Sequence, residues 1–356
     1  MKFRKKIILA GFSVLLLLIT TVTTTFAWFS LNDTVWVDDM ELEIYNADSL
    51  LVKHESGNYK QMLTNNDIVE AINDERELGD QISKLDDISL SEVFSSNGSD
   101  FYKLVPSYDD MNRKTISFDK ADLNSYIQFR LTFKVETSMN ASVHPTYYLM
   151  LSDTDSDEGL KKTSFTSDNQ TLKLLNSLVT QDKEYVMDDS ITVNPVNALR
   201  LSIKGDSASK QSADYIYDLA GEDDLGSYAI DERILEHLEI VDQKYNSSKN
   251  AGFTYYNNIN NNILNPLGYF SDDEEKVEQV ENISGLFTRL KYDFTDSLGV
   301  FEYNQDTQNY NEVTLVISIW IEGFDADNLI GLDSSIIKCL LSFRLVEGGN
   351  VRAIYS

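Results

Sequence analysis

The chain is poor in cysteine, proline and histidine, with one, four and three among its 356 residues. The single thiol, Cys339, excludes an intramolecular disulfide, so the fold must hold by burying apolar side chains. Cys339 stands in the apolar run IIKCLLSF and reads as a small core residue. Scarce proline leaves the turns to asparagine, aspartate, serine and glycine. The histidines, His54, His144 and His237, are far apart. His54 and Glu55 begin like H-E-x-x-H, but residue 58 is asparagine, so that motif offers zinc no pair of imidazoles one helical turn apart. No G-x-S-x-G elbow and no phosphate-cradling glycine loop occurs, and no histidine neighbours Cys339 in sequence. On these absences no enzyme is expected.

Basic residues are scarce too: 30 Lys and Arg stand against 58 Asp and Glu, a net charge of −28. Such a surface repels nucleic acid and anionic lipid, stays soluble and collects divalent cations loosely.

Four of the basic residues, Lys2, Arg4, Lys5 and Lys6, precede an apolar stretch over residues 7–22. Thr25, Phe26 and Ala27 follow, with small residues where a signal peptidase reads. This order predicts a signal peptide over 1–27, cut between Ala27 and Trp28. Carried on to Phe29, the stretch is 23 residues long. That is enough to cross a hydrocarbon core of about 30 Å, so an uncleaved anchor remains open. Either way, residues 28–356 are expected on the outer face of the cell envelope or secreted. Without the leader they carry 26 basic and 58 acidic residues.

Beyond the leader the clearest signal is alternation. MELEI (40–44), YIQFRLTFKV (126–135), TYYLML (146–151), ALRLSI (198–203) and LLSFRLV (340–346) read as strands with one wet face. VTLVISIWI (313–321) is apolar on nearly both faces and reads as a central strand. Helical or loop insertions are expected near 65–85, where Ile68, Ile72, Ile82 and Leu85 recur at helical spacing, near 171–181, and over 231–285. With no repeat and no linker, residues 28–356 read as one elaborated domain. The fold class is mainly β: layered antiparallel sheets with short helices inserted.

In DTDSDEG the alternating Asp153, Asp155 and Asp157 offer hard oxygen ligands of the kind Ca²⁺ takes. The glycine falls one place late for an EF-hand loop, and its twelfth position is Ser164, so a solvated acidic loop is the competing reading.

The start TTTFAWFSLNDTVWVDDMELEI resembles that of TasA/camelysin-like exported proteins of Gram-positive bacteria and their relatives. The matching features are the threonine-rich leader end, Phe26-Ala27-Trp28-Phe29, a short polar stretch, and a strand from Val35. ISIWIEGFDADNL (317–329) is similar to a W-I-E-G-W-D segment of exported proteins sharing this leader, with Phe324 in place of the second tryptophan. ALRLSI is a third match. The resemblance implies a jelly-roll-like β-sandwich outside the cell. It also implies, for some members, matrix fibres of the biofilm kind, in which the freed N-terminal segment of one subunit completes the sheet of the next. The residues available for such an assembly strand are Trp28, Phe29, Leu31, Val35, Trp36 and Val37. Burial within the chain's own sheet is the competing fate for them. The functional expectation is therefore a structural or adhesive cell-surface or matrix protein, with self-association as its partnership and no nucleic acid. The alternative is a membrane-anchored surface module for a ligand or glycan; a metallopeptidase is the remote third.

Overall fold

A computed structural model of the chain describes residues 35–45, 50–93, 95, 97–108, 114–136, 144–153, 161–173, 178–179, 184–185, 190–205, 213–219, 290–291, 293–323 and 335–348. In chain order the strands begin with β1 (Val35–Tyr45), β2 (Leu50–Lys53), β3 (Met62–Leu63), β4 (Ser89–Leu90) and β5 (Glu92–Val93). There follow β6 (Tyr102–Tyr108), β7 (Lys114–Lys120), β8 (Ile127–Val135), β9 (Tyr147–Leu151) and β10 (Ser164–Ser167). Next are β11 (Gln170–Lys173), β12 (Leu178–Val179), β13 (Glu184–Tyr185), β14 (Ser190–Val193), β15 (Leu199–Gly205) and β16 (Asp214–Asp218). The last are β17 (Leu290–Lys291), β18 (Gly299–Phe301), β19 (Tyr303–Asn304), β20 (Asn309–Tyr310), β21 (Val313–Glu322) and β22 (Ile336–Glu347). One α-helix, α1 (Asn65–Asp74), is inserted after β3.

Two seven-stranded sheets dominate. Sheet I runs β18-β9-β22-β1-β3, with β10 also on β22 and β4 also on β1. Sheet II runs β17-β16-β15-β21-β8-β2, with β5 also on β21. Most pairings are antiparallel, but β1 lies parallel to β22, β5 to β21 and β16 to β17. The chain is a mainly-β sandwich. One continuous core holds Val35, Val37, Met40 and Leu42 from sheet I and Phe129, Leu131, Phe133 and Ile317 from sheet II. The rings of Phe133 and Phe343 meet across the layers at 4.8 Å. Each such fully buried phenylalanine contributes roughly 2–3 kcal/mol of transfer free energy.

The alternation of β8 translates directly: its odd residues from Ile127 to Val135 are buried and the even ones only partly covered. β21 is buried on both faces over its last six residues and lies between β15 and β8, the central position its composition implied.

Helical spacing over 65–85 gives a helix only as far as Asp74. Thr64 caps it, and Asp67 returns the bond to the Thr64 amide at 3.0 Å. Past the last turn, Asn73 binds both the amide and the carbonyl of Ile82 at 2.9 Å. That clamp lets Ile82 and Leu85 reach the same core without helix. Residues 171–181 are not helical where they are described. Gln170–Lys173 pairs with Ser190–Val193, and Leu178–Val179 with Glu184–Tyr185. The run TLKLLNSLV fits period 2 as well as period 3.6, and the available partner strands decided between them. Residues 231–285, including His237, lie outside the described residues.

Candidate functional site

The N-terminal strand is the first candidate. Val35 and Val37 are fully buried and point into the core, while Trp36 between them is 39% exposed on the outer face. Across the parallel register Trp36 faces Ile336, itself 49% exposed. These two side chains form an apolar patch on the outside of sheet I. The inner edge of β1 is closed by its own chain. β4 covers its start and β3 its end. Between them, the Asn65 side chain takes the Met40 amide at 2.9 Å and holds Asp39 Oδ1. Ala27, Trp28, Phe29 and Leu31 lie outside the described residues. Among those described, no helix is long and apolar enough to cross a membrane.

The second candidate joins two of the motifs that carry the resemblance. Arg200 of ALRLSI stands opposite Trp320 of WIEGFD in the β15–β21 register. Arg200 Nη1 pairs with Asp218 Oδ1 at 3.1 Å, with both side chains sealed from solvent. Trp320 Nε1 donates to Glu322 Oε2 at 2.9 Å, and both of these residues are also fully buried. Phe101 stacks on Tyr126 at 4.0 Å and meets Trp320 edge-on at 5.3 Å. The polar residues of ALRLSI, expected on a wet face, are therefore interior: a segment around residues 93–126 covers them. This arrangement braces the sheet; no group in it faces solvent.

The third candidate surrounds His54, which is 2% exposed. Its Nδ1 lies 2.8 Å from Asp74 Oδ2, and its Nε2 lies 3.3 Å from Glu70 Oε2. Asp67 accepts from Lys60 Nζ. Burial pulls the carboxyl of Asp74 upward, but bonds from His54 and Ser56 outweigh it and hold the group below the usual aspartate range. Asp67 is depressed in the same way, by Lys60 and Thr64. His54, Asp67 and Glu70 each bring one ligand atom within 4.8 Å of the others, the one such group among the described residues. The sequence reading missed it because the residues are spread over 17 positions. The available signal was the D-x-x-E-x-x-x-D stripe of Asp67, Glu70 and Asp74 on one face of a capped helix.

A fourth group is aromatic. His144 stacks flat on Tyr303 at 3.6 Å, with Tyr310 and Tyr147 beside them. Burial, with Tyr147 and Tyr303 close by, pushes the Tyr310 hydroxyl up to about 12, and that hydroxyl donates to the Pro145 carbonyl at 3.0 Å. Of the calcium candidates, Asp153 is paired with Arg344 Nη2 at 3.2 Å. Asp155 and Asp157 lie outside the described residues. Comparison with family models, with curated proteins and with solved structures returned no match.

Proposed function

We propose that this is an exported structural or adhesive protein of the cell surface or extracellular matrix, self-associating through the segment just upstream of β1. The observation that carries the reading is the position of Trp36 and Ile336. Seven residues separate the expected new terminus at Trp28 from the first residue of β1, at most about 25 Å of extended chain. Cut there, the chain carries Trp28, Phe29 and Leu31 on a free end that joins β1 one residue before the exposed Trp36, which faces Ile336 on the outer face of sheet I. Large apolar side chains on a free end must be covered, and a strand edge or patch on a second copy covers them. β1 from Val35 onward stays in its own sheet, so the donated part is residues 28–34.

The test is N-terminal sequencing of the exported protein together with its mass by light scattering. A terminus at Trp28 and large assemblies, reduced to monomer by deleting Trp28–Leu31, support the reading. A monomer that keeps residues 1–27 in the membrane sinks it in favour of an anchored surface module for a ligand or glycan. The half-buried rings of His144, Tyr147 and Tyr303, backed by buried Tyr310, favour that second reading, because partly exposed aromatic rings are surfaces on which a sugar face can pack.

A further inference from the structure

We propose that His54, Asp67 and Glu70 form a binding site for one divalent transition-metal ion of the Zn²⁺ class, with Asp74 orienting the imidazole. The site is independent of the assembly reading. His54 follows the end of β2, and the three carboxylates project from successive turns of α1. With Nδ1 of His54 donating to Asp74, the lone pair on offer to a metal is the one on Nε2, on the far side of the ring from Asp74. That lone pair then confronts the Glu70 carboxylate at 3.3 Å. Two acceptors cannot rest there without a positive charge between them. The separation matches the roughly 3.3 Å edge of a tetrahedron with metal bonds of about 2.0–2.1 Å. A carboxylate holding the far nitrogen of an imidazole is also the usual outer support of a metal-bound histidine.

Charge and space agree with this. Asp67, Glu70 and Asp74 bring three negative charges against one from Lys60, and a divalent ion balances the remainder. A Cβ at Gly57 would stand 2.4–2.9 Å from Nε2, Cδ2 and Cε1 of His54, over the face of the ring, so glycine is what lets the backbone pack flat on the imidazole and hold its plane. Glu70 is 65% exposed, which gives the ion an entry side. Lys60, about half exposed, competes for Asp67 and must swing out when the ion binds. A nitrogen ligand favours zinc-like ions over Ca²⁺ or Mg²⁺, which take oxygen.

The experiment is titration calorimetry of the chelator-stripped, purified chain with ZnCl₂, alone and with millimolar CaCl₂ present. The expected result is one zinc per chain, retained against calcium. Glu70→Gln, an exposed change that leaves the fold intact, weakens binding at least tenfold. Asp74→Asn weakens it by about 10- to 100-fold. Lys60→Gln tightens it by removing the competitor for Asp67. Overturning results are no heat with zinc, displacement by calcium as from a loosely acidic surface, or a Glu70→Gln affinity within twofold of the parent.

Discussion

The outer faces of the two sheets are finished in opposite ways. Sheet II is roofed: Phe101 and Tyr126 lie on Trp320, and Arg200, Asp218, Ser318 and Glu322 are sealed beneath or beside them. The central part of sheet I is bare on the outside, with Trp36 and Ile336 half in solvent and Glu41 and Lys338 exposed near them. Where a sheet is covered on both sides its strands cannot alternate cleanly, and β21 from Ile317 on does not, whereas β8, only partly covered on its outer face, does. A sheet with one wet face alternates, as β22 does at Ile336, Lys338 and Leu340 against Ile337, Cys339 and Leu341. The roofed face therefore belongs to stability, and the bare one is where contacts with other molecules are available.

The largest expected effect breaks the roofed side. Asp218→Ala removes the counter-charge of a buried guanidinium, which keeps backbone carbonyl contacts such as Leu199 at 3.1 Å but no carboxylate at Asp218. Stranding a buried charge in this way costs about 3–5 kcal/mol. Urea unfolding should show a loss of that order, and a change below about 1 kcal/mol would mean that the Arg200–Asp218 pair is not sealed. Gly98→Ala comes next. Gly98 adopts φ +65, and a Cβ there would come within 2.1 Å of Ser202 Oγ, because the cover rests directly on β15. Left-handed backbone and forced displacement together should cost about 2 kcal/mol, while the same substitution at exposed Gly79, with nothing within 4 Å, should cost only the backbone part.

Cys339 gives a smaller effect, on the inner face of sheet I. Complete burial, with Asp39 nearby, pushes its thiol well above the ordinary value. The folded chain then keeps the proton that the unfolded chain releases, so this stabilisation is complete below pH 9 and declines as pH rises further. The slope approaches 1.4 kcal/mol per pH unit. Cys339→Ala should flatten the alkaline limb of the stability curve. An identical limb in the variant would show that Cys339 does not cause it.

How much of this could be read in the sequence follows the same division. β8 and β22 were legible because burial there follows the side-chain period, and β21 because it is apolar on nearly both faces. Arg200 and Ser202 were misread as a wet face, because nothing local to ALRLSI announces a roof that comes from residues about a hundred positions earlier. The helix over 65–85 was half right: Thr64 and Asp67 mark its start, but its end depends on Asn73 reaching Ile82, a contact with no periodic signature. The strands over 170–179 needed knowledge of partners at 184–193. His54 was visible only as a failed zinc motif, because its companions sit one, two and three helical turns along a different element.

The largest effect on behaviour is expected from the bare face. Trp36 and Ile336 are adjacent in register, and about half of each side chain is covered by the chain. Trp36→Ser with Ile336→Ser should therefore cost about 2 kcal/mol in urea unfolding, the share that belongs to the covered half of each side chain. The same pair should reduce self-association to monomer if the patch seats the aromatic end of a second copy, since a few central aromatic anchors dominate such contacts. Sedimentation at matched concentrations separates the two quantities. Undiminished association in a fully folded double variant would move the contact away from sheet I. It would also remove the reason to regard the unroofed face as the working surface of the molecule.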